Sequence, residues 1–171
     1  MGKRGDAMNY RAAKQEDIDK ICAMVRSAVA EMERHHIFQW DSLYPTREDF
    51  LADMEKGQLF IGESGADIAV TYVVNRECDD AYQGGNWSFP GREYRVIHRL
   101  CVNPRLQNRG IGKDTLLHIE RELKKRGVKA VRLDVFSGNP FALSLYRRCG
   151  YREVGFADWR KGRFWLMEKV L

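Results

Sequence analysis

With 171 residues, 44% of them hydrophobic and 31% charged, the chain is long enough to bury one core and has the balance of an ordinary globular domain. No apolar run approaches the roughly 20 residues that cross a bilayer, and no apolar signal segment follows Met1, which argues against a membrane protein. The net charge of +5 favours anionic ligands, whether nucleic acid or a cofactor carrying several phosphates.

In chain order, residues 1–7 read as a polar extension and 8–171 as a single domain, with no internal repeat, low-complexity tract or linker. Ile18, Ile21, Cys22, Val25 and Val29 fall at helical spacing and predict a helix over 17–34. Trp40, Tyr44 and Pro45 mark a connection. Thr46 is a natural N-cap for a second helix over 48–56, stopped by Gly57. Strands over 59–62 and 68–75 follow, joined by a glycine-containing hairpin loop. The polar stretch 76–91, with Tyr82, Trp87 and Phe89 embedded, is a long loop of the kind that often carries function. A third strand covers 94–102. The helix over 111–126 sets Leu116, Ile119 and Leu123 on one face and ends at Gly127. In a strand over 129–136, Val131, Leu133 and Val135 alternate with Arg132 and Asp134. Asn139 and Pro140 open a helix that runs to Cys149 and closes at Gly150. Short strands near 154–157 and 164–169 complete an α/β (α+β) domain, with a mixed central sheet of about six to seven strands flanked by helices.

The densest signal is Leu100-Cys101-Val102-Asn103-Pro104-Arg105-Leu106-Gln107-Asn108-Arg109-Gly110-Ile111-Gly112. It reads as a strand, a proline-marked turn, then Gln-x-x-Gly-x-Gly running into an amphipathic helix. Two glycines remove side chains where a phosphate must approach the backbone. The helix start aims free N–H groups and the positive end of its dipole at the same place. The backbone from Gln107 to Lys113 is thereby suited to wrap a pyrophosphate, with Arg105, Arg109 and Lys113 adding charge.

Gln107-x-x-Gly110-x-Gly112 resembles the acyl-CoA binding signature of the GNAT superfamily of N-acetyltransferases. Asn139-x-x-Ala142-x-x-Leu145-Tyr146-x-x-x-Gly150-Tyr151 is similar to the second cofactor-side motif of that family. The resemblance implies a GNAT-like fold, acetyl-CoA as cofactor, and transfer of an acetyl group to an amine. It implies that the strand ending at Val102 splays from the strand beginning near Lys129. The pantetheine arm would then pair with backbone at Leu100 and Val102, like an added strand. Asn139 would contact the same arm. The backbone N–H near Leu100 or Cys101 is the family-like oxyanion donor. Tyr146 is the candidate acid for the departing thiolate, although Ala142, Leu145, Tyr146 and Cys149 also make a credible buried stripe.

The amine must lose its proton before it attacks. His98, two residues before Leu100 and so expected on the same face, is the first choice of base. Glu31, Glu33 and Asp41 are alternatives, and Asp134 reads as a buried, satisfied aspartate. Trp40, Tyr44, Tyr72, Trp87 and Phe89 offer an aromatic wall for the amine. Cys101 is expected on the face opposite His98 and Leu100, so transfer is expected to be direct, in a ternary complex, without an acyl-enzyme.

The expected partner is a small-molecule or peptide amine, with no membrane and no nucleic acid, since no nucleic-acid-binding signature accompanies the charge. A homodimer is possible for the family. His35 and His36 have no metal-ligand spacing around them, so no metal site is read. Cys22, Cys78, Cys101 and Cys149 fit reduced thiols in a cytoplasmic protein. The competing reading is a non-catalytic acyl-CoA-binding sensor or interaction domain.

Overall fold

The computed structural model describes residues 7–171; the extension expected over 1–7 falls almost wholly outside them. Seven strands form one mixed sheet: β1 (Asn9–Ala12), β2 (Leu59–Ser64), β3 (Asp67–Asn75), β4 (Tyr94–Val102), β5 (Ala130–Phe136), β6 (Arg152–Trp159) and β7 (Gly162–Val170). Their order across the sheet is β1-β2-β3-β4-β5-β7-β6. Four helices flank it: α1 (Ile18–Arg34), α2 (Arg47–Glu55), α3 (Ile111–Lys125) and α4 (Pro140–Arg148). No helix among the described residues is long and apolar enough to cross a membrane.

The local reasons are those of the sequence. Thr46 caps α2 in a reciprocal pair with Asp49, its hydroxyl accepting from the Asp49 N–H at 3.3 Å while the Asp49 carboxylate accepts from the Thr46 N–H at 2.7 Å. The Asn139 side chain caps α4 by accepting from the Ala142 N–H at 3.0 Å, and Pro140 fills the first helical position.

The helices divide between the two faces. Ile18, Ile21, Met24 and Val25 of α1 and Phe50 of α2 pack with Leu59, Ile61, Val73 and Cys101 on one face. On the other, Leu116, Ile119 and Leu123 of α3 and Leu143 and Tyr146 of α4 pack with Ile97, Val131, Leu133 and Met167. These are called below the α1 face and the α3 face.

Two irregularities in β4 set up everything that follows. It pairs with β5, in parallel, only over Tyr94↔Ala130, Arg95↔Val131 and Val96↔Arg132. Beyond Val96 the two strands part, while β5 stays paired with β7 as far as Phe136. The sheet is therefore split from Ile97 onward. Against β3, the register moves from Val73↔His98 to Thr71↔Cys101, so three steps on β4 oppose two on β3. That is a β-bulge, and Arg99 sits in it with φ +52°.

The bulge reverses the alternation of β4. Ile97 and Leu100 belong to the α3 face, whereas Cys101 packs among α1-face residues, as does Val73, the partner of His98. His98 and Leu100 therefore do not share a face, and His98 and Cys101 do. The expectation from simple alternation was the reverse on both counts.

Candidate active site

A cleft of about 1320 Å³ passes through the split in the sheet. On the α3 face it begins at the turn before α3. Gly110 takes φ +80° and Asn108 φ +63°, backbone that an L side chain adopts at a cost and that closes the turn tightly. The first helical hydrogen bond is from the Asp114 N–H to the Gly110 carbonyl at 3.0 Å. The N–H groups of Ile111, Gly112 and Lys113 thus have no partner within the helix. A Cβ on Gly112 would stand 3.0 Å from Leu145 Cδ2, so this glycine keeps α3 against α4 as well as opening the turn.

Leu100, Val102, Gln107, Asn108, Gly110, Ile111, Gly112 and Lys113 line this half, with Asn139, Ala142 and Tyr146 of the α4 segment. Arg105 and Arg109 lie outside it. Besides capping α4, the Asn139 side chain donates to Gln39 Oε1 at 3.0 Å, which ties the loop before α2 to α4.

Tyr146 stands where the two halves meet. Its ring is buried edge-on against Tyr151, with centroids 5.8 Å apart. Its hydroxyl makes no hydrogen bond among the described residues and is not sealed from the cleft. Burial, with a smaller push from the charge of Asp134, raises its pKa above the ordinary tyrosine value.

The α1-face half is lined by Trp40, Tyr44, Tyr82, His98, Arg99, Cys101, Asp134 and Trp159. Tyr82 donates its hydroxyl to Asp134 Oδ2 at 2.6 Å. Asp134 Oδ1 has no partner among the described residues and is not sealed off, so it faces the cleft. Burial raises the Asp134 carboxyl pKa, against the lowering effect of the Tyr82 hydrogen bond.

His98 Nε2 lies 2.9 Å from both Asn75 Oδ1 and the Glu77 carbonyl. Since a carbonyl can only accept, the proton sits on Nε2 and Nδ1 carries the lone pair. Burial pulls the His98 pKa down to about 4. The ring is neutral at pH 7, and its Nε2 is committed to Asn75 and Glu77. The Cys101 thiol is pushed up to about 12 by burial and is no nucleophile at neutral pH.

Three residues expected in the aromatic wall lie elsewhere, Phe89 among them, its backbone held by Glu168 and Arg132 outside the cleft. Tyr72 is buried on the α3 face, stacked on Phe60 with centroids 5.5 Å apart. Trp87 packs on Tyr82 and over the Arg132 guanidinium, 4.3 Å from the ring centre, outside the cleft. Tyr72 and Trp87 are large side chains whose burial is bought by neighbours that sequence spacing does not reveal. Trp40 and Tyr44 do line the cleft.

The acetyltransferase (GNAT) family pattern matches residues 26–151, most of the chain. This chain belongs to that family. As an N-acetyltransferase it is 25% identical over 146 residues to the uncharacterized N-acetyltransferase YesJ of Bacillus subtilis, covering 84% of this chain and 81% of that protein. It is 37% identical over 59 residues to the ribosomal protein bS18-alanine N-acetyltransferase of Escherichia coli, a match spanning 34% of this chain and only 40% of that protein. A GNAT-family acetyltransferase from Streptococcus agalactiae superposes with a TM-score of 0.85 at 21% identity, over 98% of this chain and 97% of that one. The fold is thus the GNAT acyl-CoA N-acyltransferase fold.

Acetyl-CoA fits the α3-face half of this acetyltransferase. Three unpartnered N–H groups and Lys113 meet at the glycine turn, and the open edge of β4 offers Leu100 and Val102 to an extended arm. Among the residues that alternation alone passed over, Arg99 is the most consequential. Arginine carries no signal for positive φ, and only the register of β3 against β4 exposes the bulge that holds it.

Proposed function

We propose that the protein moves an acetyl group from acetyl-CoA to a primary amine by direct attack in a ternary complex. The observation that carries this reading is the through-going cleft at the split of β4 and β5. It joins a phosphate-suited helix start on one face to a carboxylate and an aromatic wall on the other. When bound, acetyl-CoA supplies an activated thioester.

The residues divide the remaining work. The backbone of Gln107–Lys113 holds the pyrophosphate, with Asn108, Arg109, Gly110, Ile111 and Gly112 shaping the turn. Leu100, Cys101 and Val102 present backbone to the pantetheine arm, and Asn139 and Ala142 close its other side. Leu100 has no register partner on β3 across the bulge, and the backbone amide at Leu100 or Cys101 is the donor proposed for a developing oxyanion, a contribution of ~3 kcal/mol. Tyr146 is the acid. Its hydroxyl, protonated at neutral pH and without a hydrogen bond among the described residues, is available to hydrogen-bond a departing thiolate. The amine gives its proton up at Asp134 Oδ1, the free carboxylate oxygen of the α1-face half. His98, neutral and bonded to Asn75 and Glu77, steadies the end of β3 beside it.

Burial of the Cys101 thiol supports direct attack over an acyl-enzyme. Four unpaired cysteines are in keeping with a cytoplasmic place of action. The test is calorimetric titration with acetyl-CoA, with CoA and dephospho-CoA as controls, followed by thiol release with a panel of amines. Saturable binding and amine-dependent thiol release are expected. No binding at millimolar acetyl-CoA, or a stable acetyl-cysteine by intact mass, overturns the reading.

A further inference from the structure

Arg99 has an unused charged donor, Nη2, facing the cleft. Its Nη1 donates to Asp53 Oδ2 of α2 at 2.5 Å, and its guanidinium lies over the Tyr44 ring, 5.1 Å from the centre. Its Nε is buried with no partner among the described residues. Its Nη2 makes no hydrogen bond among the described residues and is not sealed off, so it faces the cleft that Arg99 lines. Nε and Nη2 share one edge of the guanidinium plane, the edge that meets a carboxylate in parallel. Elsewhere in this chain a carboxylate takes that same edge: Asp19 on Arg47, Glu153 on Arg147 and Asp158 on Arg163. Arg99 is also held in left-handed backbone at the bulge, directly before Leu100, so its place beside the split is built in and not incidental.

Nη2 is a charged donor open to the cleft with no acceptor among the described residues, and an anionic group on a ligand supplies one. The positive edge of Arg99 is on the β4 wall and the free oxygen of Asp134 is on the β5 wall. Tyr44, with the Arg99 guanidinium over its ring, lines the same cleft as both. A molecule with an ammonium group and a carboxylate matches that pair of walls. The same end of the cleft is strapped. Asp41, in the loop before α2, accepts from Arg160 at 2.7 and 3.0 Å and from Lys161 at 3.2 Å, in the turn between β6 and β7. Arg160 and Lys161 line the cleft, so the strap joins two of its walls and favours a compact acceptor over a protein terminus.

We infer that the acceptor is a free amino acid or a similar small amine bearing a carboxylate, and that Arg99 is the residue that selects it by binding that carboxylate. This rests on the acetyltransferase reading above. Arg99 touches the acceptor away from the reacting atoms, so it sets specificity and affinity.

The test uses the full chain with the twenty free amino acids and the amines left by removing their carboxylates. Thiol release is measured with acetyl-CoA, and acceptor binding is measured by calorimetry in the presence of CoA. At least one amino acid is expected to bind and turn over, with its decarboxylated partner weaker by ~10-fold or more. In Arg99→Lys, and in the double variant Arg99→Gln with Asp53→Asn that removes both members of the buried pair, KM for the amino acid should rise by ~10- to 100-fold with a smaller change in kcat, so that the preference over the decarboxylated amine collapses. Preference for decarboxylated amines, turnover of neither set, or a preference that survives in both variants overturns the inference. Failure of acetyl-CoA itself to bind would instead strike the acetyltransferase reading, and calorimetry separates the two.

Discussion

Tyr146 and His98 line one cleft, and burial acts on each in the direction of its neutral form: the phenol is pushed up and the imidazole down to about 4. For Tyr146 this makes full proton transfer harder than for an ordinary tyrosine, so its help to a departing thiolate is a hydrogen bond from the neutral phenol. Tyr146→Phe should lower kcat by ~100-fold while leaving acetyl-CoA affinity nearly unchanged; equal loss of binding in calorimetry would make the ring purely structural. For His98 the consequence is pH-dependent stability. Between pH 6.5 and 4 the unfolded chain takes up a proton at this position and the folded chain does not. The contribution is therefore complete above pH 6.5 and is lost as pH falls through that window, to a total of about 3 kcal/mol. Denaturant midpoints of wild type should fall more steeply from pH 7 to pH 4.5 than those of His98→Gln, and parallel curves would refute it. The wild-type rate profile should also lack a His98 limb near pH 6.5. Alternation placed His98 beside Leu100 because nothing in a run of nine strand residues announces a bulge at an arginine.

The glycine turn and α3 were the most legible element, since both the turn residues and the apolar stripe act locally. Gly110 and Gly112 do different work there. Gly110 needs left-handed backbone and has open space around it, so Gly110→Ala should fold with a loss of ~1 kcal/mol, read as a lower unfolding midpoint. Gly112 has an ordinary backbone but no room, with Leu145 Cδ2 at 3.0 Å from a would-be Cβ. Gly112→Val should press α3 off α4 and weaken acetyl-CoA binding by calorimetry more than Gly110→Ala does. Equal effects would mean that turn shape, and not helix packing, governs the site. By contrast β1 was illegible. Asn9–Ala12 is a four-residue edge strand, too short for the alternation of Tyr10 and Ala12 with Asn9 and Arg11 to stand out, and Arg11 ties it down by reaching Asp17 at 2.7 Å and Glu63 at 2.6 Å. Such partners are distant in sequence and leave no periodic trace.

At the scale of the molecule, the long segment between β3 and β4 is clamped down by one buried ion pair. Glu168 of β7 accepts from Arg132 Nε at 3.1 Å and from the N–H groups of Ser88 and Phe89 at 2.6 and 3.3 Å. Arg132 returns a bond to the Phe89 carbonyl at 2.6 Å and is sandwiched between Trp87 and Tyr94, at 4.3 and 3.9 Å from the ring centres. This is why Trp87 serves the clamp and not the cleft. The same segment carries Tyr82, whose hydroxyl holds Asp134. The clamp on β7 is thereby linked to the carboxylate at the acceptor end, with the glycine turn on the opposite face left out of the chain of contacts. Glu168→Gln leaves the Arg132 charge unpaired inside the protein and should cost ~3–5 kcal/mol, read by urea unfolding. At a temperature where the variant is still folded, kcat should drop because Asp134 is held less firmly, while acetyl-CoA affinity should stay within about twofold of wild type. If calorimetry instead showed acetyl-CoA affinity falling in step with kcat, the two faces of the split sheet would be mechanically one unit. The clamp would then set the opening between β4 and β5, and not the position of Asp134 alone.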